Sequence, residues 1–321
     1  MKHVGRYFAA VAATFALALT TSADDKSSTD SRTFELRYAA KIEGITAGME
    51  YRLWAPIAPS NDDQTVTIIS RDLPPGWRTT HEAKYGNELL YLAGKTPDDK
   101  PLEFAVTYKV RRKELRGEQP SSDDAAKFLK PDARVPVGGK SLTLLRDKDL
   151  PADRMRLARF LYDTVFDHMR YSKEGTGWGL GDSDWACDSR YGNCSDFHSL
   201  FISLARAKGI PAKFEIGYGL PAKRGEGDIA GYHCWAKFKS ESSCWVGVDI
   251  SEARKNPTLR DYYFGNLTAD RVAFTTGRDL VLEPTQDGPP INFLIAPYVE
   301  VTGKPLPADK IKMKVSFRDV N

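Results

Sequence analysis

The sequence predicts an α+β fold, with an all-β unit preceding a unit of helices packed on an antiparallel sheet. Three observations carry that expectation. Between Arg32 and Lys113 apolar and polar residues alternate in short runs broken by prolines. Near Asp149 the period changes to that of a helix. After Gly209 come three more strand-like runs, the last two close enough to form a hairpin.

The elements follow in order. Lys2, His3 and Arg6 precede an apolar run, Phe8 to Leu19, that is too short to span a bilayer, and Thr21-Ser22-Ala23 offers a cleavage site. Residues 1–23 therefore read as a signal peptide. The mature chain is expected in the periplasm or secreted, with no membrane anchor. Residues 24–31 are polar and read as a disordered leader. Residues 32–113 read as a β-sandwich accessory domain of immunoglobulin-like kind: Thr33–Tyr38, Met49–Trp54 and Phe104–Val110 alternate, with Pro74-Pro75-Gly76 among the breaks. Residues 114–148 read as a linker or crossover.

The core of helices packed on an antiparallel sheet is expected over 149–265. Met155, Leu157, Phe160, Leu161, Val165 and Met169 form one helical stripe. Phe197, Leu200, Phe201, Leu204 and Ala205 form a second, stopped by Gly209 and Pro211. Strands are expected at Lys213–Tyr218, Tyr232–Lys239 and Trp245–Ile250. Residues 266–321 are expected to complete the core as a C-terminal β segment.

Composition narrows the function. The chain has 321 residues, of which 41% are hydrophobic and 28% charged, as in globular proteins. A net charge of +3 gives no basic excess for nucleic-acid binding. With four cysteines and five histidines there is material for one thiol site or one metal site.

Cys194 stands where the 181–193 loop enters the second helix, with Asn193 as a plausible N-cap. Free first-turn N–H groups there stabilise a thiolate and a developing oxyanion. His233 and Asp249 lie on neighbouring strands. A hairpin symmetric about Glu241 makes them direct neighbours on one face, as needed for a carboxylate that orients an imidazole. Arg190-Tyr191-Gly192-Asn193-Cys194-Ser195-Asp196, the stop at Gly209-Ile210-Pro211, Gly231-Tyr232-His233-Cys234-Trp235 and Trp245-Val246-Gly247-Val248-Asp249 together resemble the transglutaminase-like superfamily. The resemblance implies a papain-like core with Cys194 as nucleophile, His233 as base and acid, and Asp249 as orienter. It implies a thiol enzyme acting on amide bonds of a protein or peptide, without settling the reaction. Hydrolysis is favoured over cross-linking because water is always available, whereas transfer needs a site that excludes water and admits an amine. No cofactor is expected.

His198, one turn after Cys194, is a rival base, or a zinc ligand with Cys187 and Cys194; edge packing is the plainer reading. A catalytically silent binding module on the same fold is the functional alternative. Asn193-Cys194-Ser195 and Asn266-Leu267-Thr268 match the glycosylation pattern, the first by coincidence. Trp178, Trp185 and Tyr191 read equally as cleft wall or core. If Cys194 is free, any disulfide must use Cys187, with Cys234 the better partner; three reduced thiols are the alternative.

Overall fold

The computed structural model describes residues 30–320, so the predicted signal peptide lies outside the described residues. The first strand, Ser31–Ile42, alternates as its sequence requires, with Arg32, Phe34, Leu36, Tyr38, Ala40 and Ile42 all buried. It pairs antiparallel with Leu102–Lys113 on one side and Ile311–Asp319 on the other. These belong to a five-stranded sheet. A second five-stranded sheet contains Glu50–Pro56, Arg78–His81, Glu88–Lys95, Tyr298–Val301 and Lys304–Pro305. Leu53, Ala55, Leu90 and Leu92 of the second sheet share one apolar cluster with Phe34, Leu36 and Tyr38 of the first.

The third sheet has seven strands, among them Arg271–Thr276, Ala212–Gly219, His233–Lys239, Trp245–Val248 and Phe264–Leu267 in that spatial order. Four helices accompany it: α1 (Arg154–His168), α2 (Ser183–Ser189), α3 (Cys194–Ala207) and α4 (Ile250–Lys255). Helix α3 is buried on nearly every side, which its Phe197, Leu200, Phe201 and Leu204 permit. Asp153 caps α1, its Oδ1 accepting from the Arg156 N–H at 2.8 Å. Gly209, at φ 72°, ends α3 as the sequence indicates. Among the described residues no helix is long and apolar enough to cross a membrane.

The C-terminal segment corrects an expectation. Phe264–Leu267 and Arg271–Thr276 do pair within the seven-stranded sheet, but Tyr298–Val301 and Ile311–Asp319 pair with N-terminal strands. An alternating strand announces one buried face and says nothing about which open edge receives it. The expected linker is also more structured than predicted, because Leu115–Arg116 and Glu118–Gln119 add to the seven-stranded sheet.

Arg32 ties these parts together. Its guanidinium donates to both carboxylate oxygens of Asp319 (2.7 and 2.8 Å), to Asp270 Oδ1 (2.8 Å) and to the Pro221 carbonyl (2.7 Å). First strand, last strand and two loops of the seven-stranded sheet thus meet on one buried cation. Arg32→Met should lower the unfolding free energy by about 2–3 kcal/mol, because it strands two partly buried carboxylates. Arg224→Met, which removes an exposed partner of the same Asp270, should cost less than about 1 kcal/mol. Urea denaturation of the two variants checks the contrast.

Candidate active site

The N-terminus of α3 is built by reciprocal capping. Asn193 Oδ1 accepts from the Ser195 N–H at 2.9 Å, and Asp196 Oδ2 accepts from the Asn193 N–H at 2.9 Å. Cys194 is therefore the first residue of the helix, where N–H groups lack intrahelical partners. Asp196 does more than cap. Its buried carboxylate also accepts from the N–H groups of Gly179 (2.7 Å) and Gly181 (2.9 Å), which holds the glycine-rich loop against the helix. Gly192 has to be glycine, since a side chain there would collide with the same carboxylate.

His233 opens its strand, and its Nε2 lies 2.7 Å from Asp249 Oδ2. With Nε2 taken by Asp249, Nδ1 is the ring nitrogen left to serve Cys194. Asp249 is the N-cap of α4, so the strand expected to run to Ile250 stops two residues early, at Val248. Its Oδ1 accepts from Ser251 Oγ (3.0 Å) and the Glu252 N–H (3.1 Å), while Oδ2 accepts from His233 and from Arg271 Nη1 (3.0 Å).

The hairpin register differs from the predicted one by two positions. Ala236 faces Val248 and Lys239 faces Trp245. The loop is Glu241–Ser243, closed by the Ser243 N–H on the Ser240 carbonyl at 3.2 Å, with Ser243 at φ 61°. Continued along the strands, this register sets Asp249 opposite Trp235 and places His233 one diagonal step away. A shift of two preserves the face, so His233 and Asp249 still meet.

Electrostatics separate the two buried histidines. Burial works against the charged form of His233, but the Asp249 charge and hydrogen bond, then Cys194, raise its pKa to about 9. His198 is pushed the other way by burial, to about 4. Its Nε2 accepts from the Ile250 N–H at 3.2 Å and its Nδ1 faces Cys234 Sγ at 3.6 Å, which suits a neutral ring with its proton on Nδ1. A hydrogen bond from Cys234 comes first in holding the Cys194 thiol well below the ordinary range; burial opposes it, and His233 reinforces it. Burial pushes the Cys234 thiol up, as does its bond to Cys194.

All four cysteines are free thiols. Cys187 sits on α2 with its sulfur 3.9 Å from the Lys140 carbonyl, and Cys234 faces the Cys194–His198 turn of α3. Among the described residues no cluster of His, Cys, Asp and Glu is arranged to hold a metal ion. Asn193 is occupied as a cap, and its amide also donates to the Tyr232 hydroxyl at 3.0 Å.

A cleft of about 680 Å³ opens beside His233, lined by Tyr171, Leu220, Tyr232, Lys255 and Tyr263 among others. Trp178, Trp185 and Tyr191 do not line it. Trp185 packs edge-on against Tyr191 at 5.3 Å, and Trp178 donates to the Gly175 carbonyl. Sequence reasoning missed Asp196 and Arg271 as site residues. Asp196 was findable, since an acidic residue three places after Asn193 is a capping-box signal. Arg271 lies 22 positions beyond Asp249 with no motif around it.

Asp196→Asn presents an NH2 group where three N–H groups converge. It should lower stability by about 1–3 kcal/mol and speed amide exchange at Gly179 and Gly181. Chemical denaturation and hydrogen exchange over residues 175–181 test both effects.

Comparison with known proteins agrees with this architecture. Residues 146–250 match the model of the transglutaminase-like superfamily. A curated relative, an uncharacterized protein of Haemophilus influenzae, is 27% identical across 79% of this chain and 81% of its own length. A crystal structure from Cytophaga hutchinsonii, described as a "Putative Cysteine Protease", superposes with a TM-score of 0.58 at 15% identity and covers 91% of this chain and 92% of its own, a likeness of fold. Over residues 146–250 this chain is thus similar to the transglutaminase-like superfamily, and its fold is like that of the Cytophaga structure.

Proposed function

We propose that Cys194, His233 and Asp249 act as nucleophile, acid–base and orienter in a thiol enzyme that cleaves amide bonds of proteins or peptides. The observation that carries this reading is the 2.7 Å contact of His233 with a fully buried Asp249, with the helix-start Cys194 also helping to raise the pKa of the ring. In this scheme the Cys194 thiolate attacks the amide carbonyl, and the Cys194 N–H at the start of α3 receives the developing oxyanion. The imidazolium of His233 then protonates the leaving amine as the C–N bond breaks. The neutral ring next takes a proton from water, which adds to the acyl-enzyme and releases the acid. Asp249, held from four sides, keeps the ring oriented throughout.

Hydrolysis is preferred to transfer onto an amine because the cleft beside His233 is open to solvent. The basic and apolar first 23 residues support action outside the cytoplasm. Incubation with a peptide library, with and without added amines, separates the outcomes by mass spectrometry: chain cleavage, deamidation, amine incorporation, or none of these. No reaction with any peptide, together with an unreactive Cys194, would favour a silent binding module on the same fold.

Cys194→Ala and His233→Ala should abolish turnover with the fold retained, while Asp249→Asn should lower kcat by about 10⁴-fold. Iodoacetamide should alkylate Cys194 near pH 6, well below the range of an ordinary thiol at about 8.5.

The histidines also fix a pH dependence of stability. His233 is raised to about 9, so its contribution is complete below its ordinary 6.5 and is lost as pH rises through 9. His198 is lowered to about 4, so the native state resists its protonation, and stability falls as pH drops from 6.5 toward 4. Denaturation midpoints across pH 4–9 should therefore be highest between these two losses, and His198→Gln should flatten the acid side alone.

A further inference from the structure

Resting on the proposed Cys194–His233–Asp249 unit, we propose that Arg271 is a positioning residue for its proton transfers: its guanidinium competes with His233 for one oxygen of Asp249 and so limits how tightly the imidazole holds its proton. Arg271 begins the edge strand Arg271–Thr276 of the seven-stranded sheet and is buried. Its Nη1 donates to Asp249 Oδ2 at 3.0 Å, the same oxygen that His233 Nε2 approaches at 2.7 Å. The other nitrogens are pinned, Nε on the Thr268 carbonyl (3.2 Å) and Nη2 on Thr268 Oγ1 (3.3 Å). The plane lies over the Trp235 ring at 4.8 Å, and Trp235 is itself fixed by its Nε1 donating to Glu215 Oε2 at 2.7 Å. The guanidinium therefore cannot swing away from Oδ2 without breaking every one of these contacts.

Sharing one oxygen has a chemical consequence. A buried carboxylate bonded only to His233 would strengthen the imidazole as a base without limit from that side. In the proposed reaction His233 must release its proton to the leaving nitrogen as the C–N bond breaks, and a ring that binds its proton too firmly slows that step. A second cation on Oδ2 withdraws negative charge from the His233 bond and repels the imidazolium directly. Other ionisable groups surround the unit: Cys194 and His198 from α3, Cys234 from the histidine strand, Glu252 and Lys255 from α4, and the phenols of Tyr162, Tyr171 and Tyr263. Among the described residues only Arg271 joins His233 on Oδ2.

The test is the imidazole titration of His233, followed by NMR in the full chain with ¹³C-labelled histidine and assigned by His233→Gln. The unsubstituted protein should titrate near 9 at this position. Arg271→Met should raise the midpoint by about one pH unit, and Arg271→Lys should bring it back. Thr268→Val, which loosens the guanidinium without deleting it, should move the midpoint the same way by less. Cys194→Ala should lower it, because the thiolate that favours the imidazolium is gone. An unchanged or lowered midpoint in Arg271→Met, or in Thr268→Val should the first variant not fold, overturns the role of Arg271 and leaves the triad standing. An unmoved midpoint in Cys194→Ala overturns the triad reading instead.

Discussion

The molecule depends on keeping one buried carboxylate charged. Asp249 has no solvent contact, and an isolated carboxylate in such a place would take up a proton. Burial indeed pushes it that way, but the charge and hydrogen bond of His233, then the charge of Arg271, hold it ionised well below the ordinary range. Its partners come from separate places in the chain: the histidine strand, the edge strand that begins at 271, and the first turn of α4. A shift in any of these elements would leave a charge unpaired in the interior, at a cost that can reach several kcal/mol. The sheet, the short helix and the edge strand are thereby fixed relative to one another by electrostatics as much as by packing.

Helix α3 imposes the complementary constraint. A helix buried on almost every face satisfies its N-terminal N–H groups from its own neighbourhood, and Asn193 and Asp196 do so. The two oxygens of Asp196 also receive the glycine-rich loop, so the geometry around Cys194 and the position of that loop are set by one side chain. His198, one turn along, is used in the same economical way. It is neutral, it accepts the first N–H of α4, and it faces Cys234, the residue that also donates to Cys194. What looked in sequence like a rival base is a joint between α3, α4 and the histidine strand.

Legibility followed length and periodicity. The first strand, α1 and α3 were readable because each repeats its apolar spacing often enough to be unambiguous, and α3 adds a cap and a glycine stop. Helices α2 and α4, at seven and six residues, are too short to show a helical period, and Ile250 stayed in phase with the strand before it. The pairing of His233 with Asp249 survived a mistaken register because the error was an even number of residues. The destination of the last strands was not legible. Ile311, Met313, Val315 and Phe317 demand a buried face, yet the edge beside Ser31–Ile42 and the edge of the core sheet would each have supplied one.

The N-terminal sheets explain how the seven-stranded sheet can keep charges on its other side. His233, Trp235 and Lys237 share one face, which α3 does not cover. Parts of the N-terminal sheets close over it instead. Buried Asp63 pairs with Lys237, whose ammonium also meets Glu215 at 3.3 Å, and Glu215 in turn holds Trp235 beneath Arg271. Gln64 behaves toward the edge strand as a backbone would, accepting from the Ala273 N–H at 2.8 Å and donating to the Ala273 carbonyl at 2.9 Å. Asn87 repeats the pattern at Thr276. Two side-chain amides thus satisfy an edge that would otherwise offer its N–H and C=O groups to another chain. Arg271 and Asp249 are both buried, which limits the screening that would weaken the ion pair and its hold on His233. The β-rich first half is therefore more than an appendage to the seven-stranded sheet: its Asp63, Gln64 and Asn87 close over one face and one edge of it.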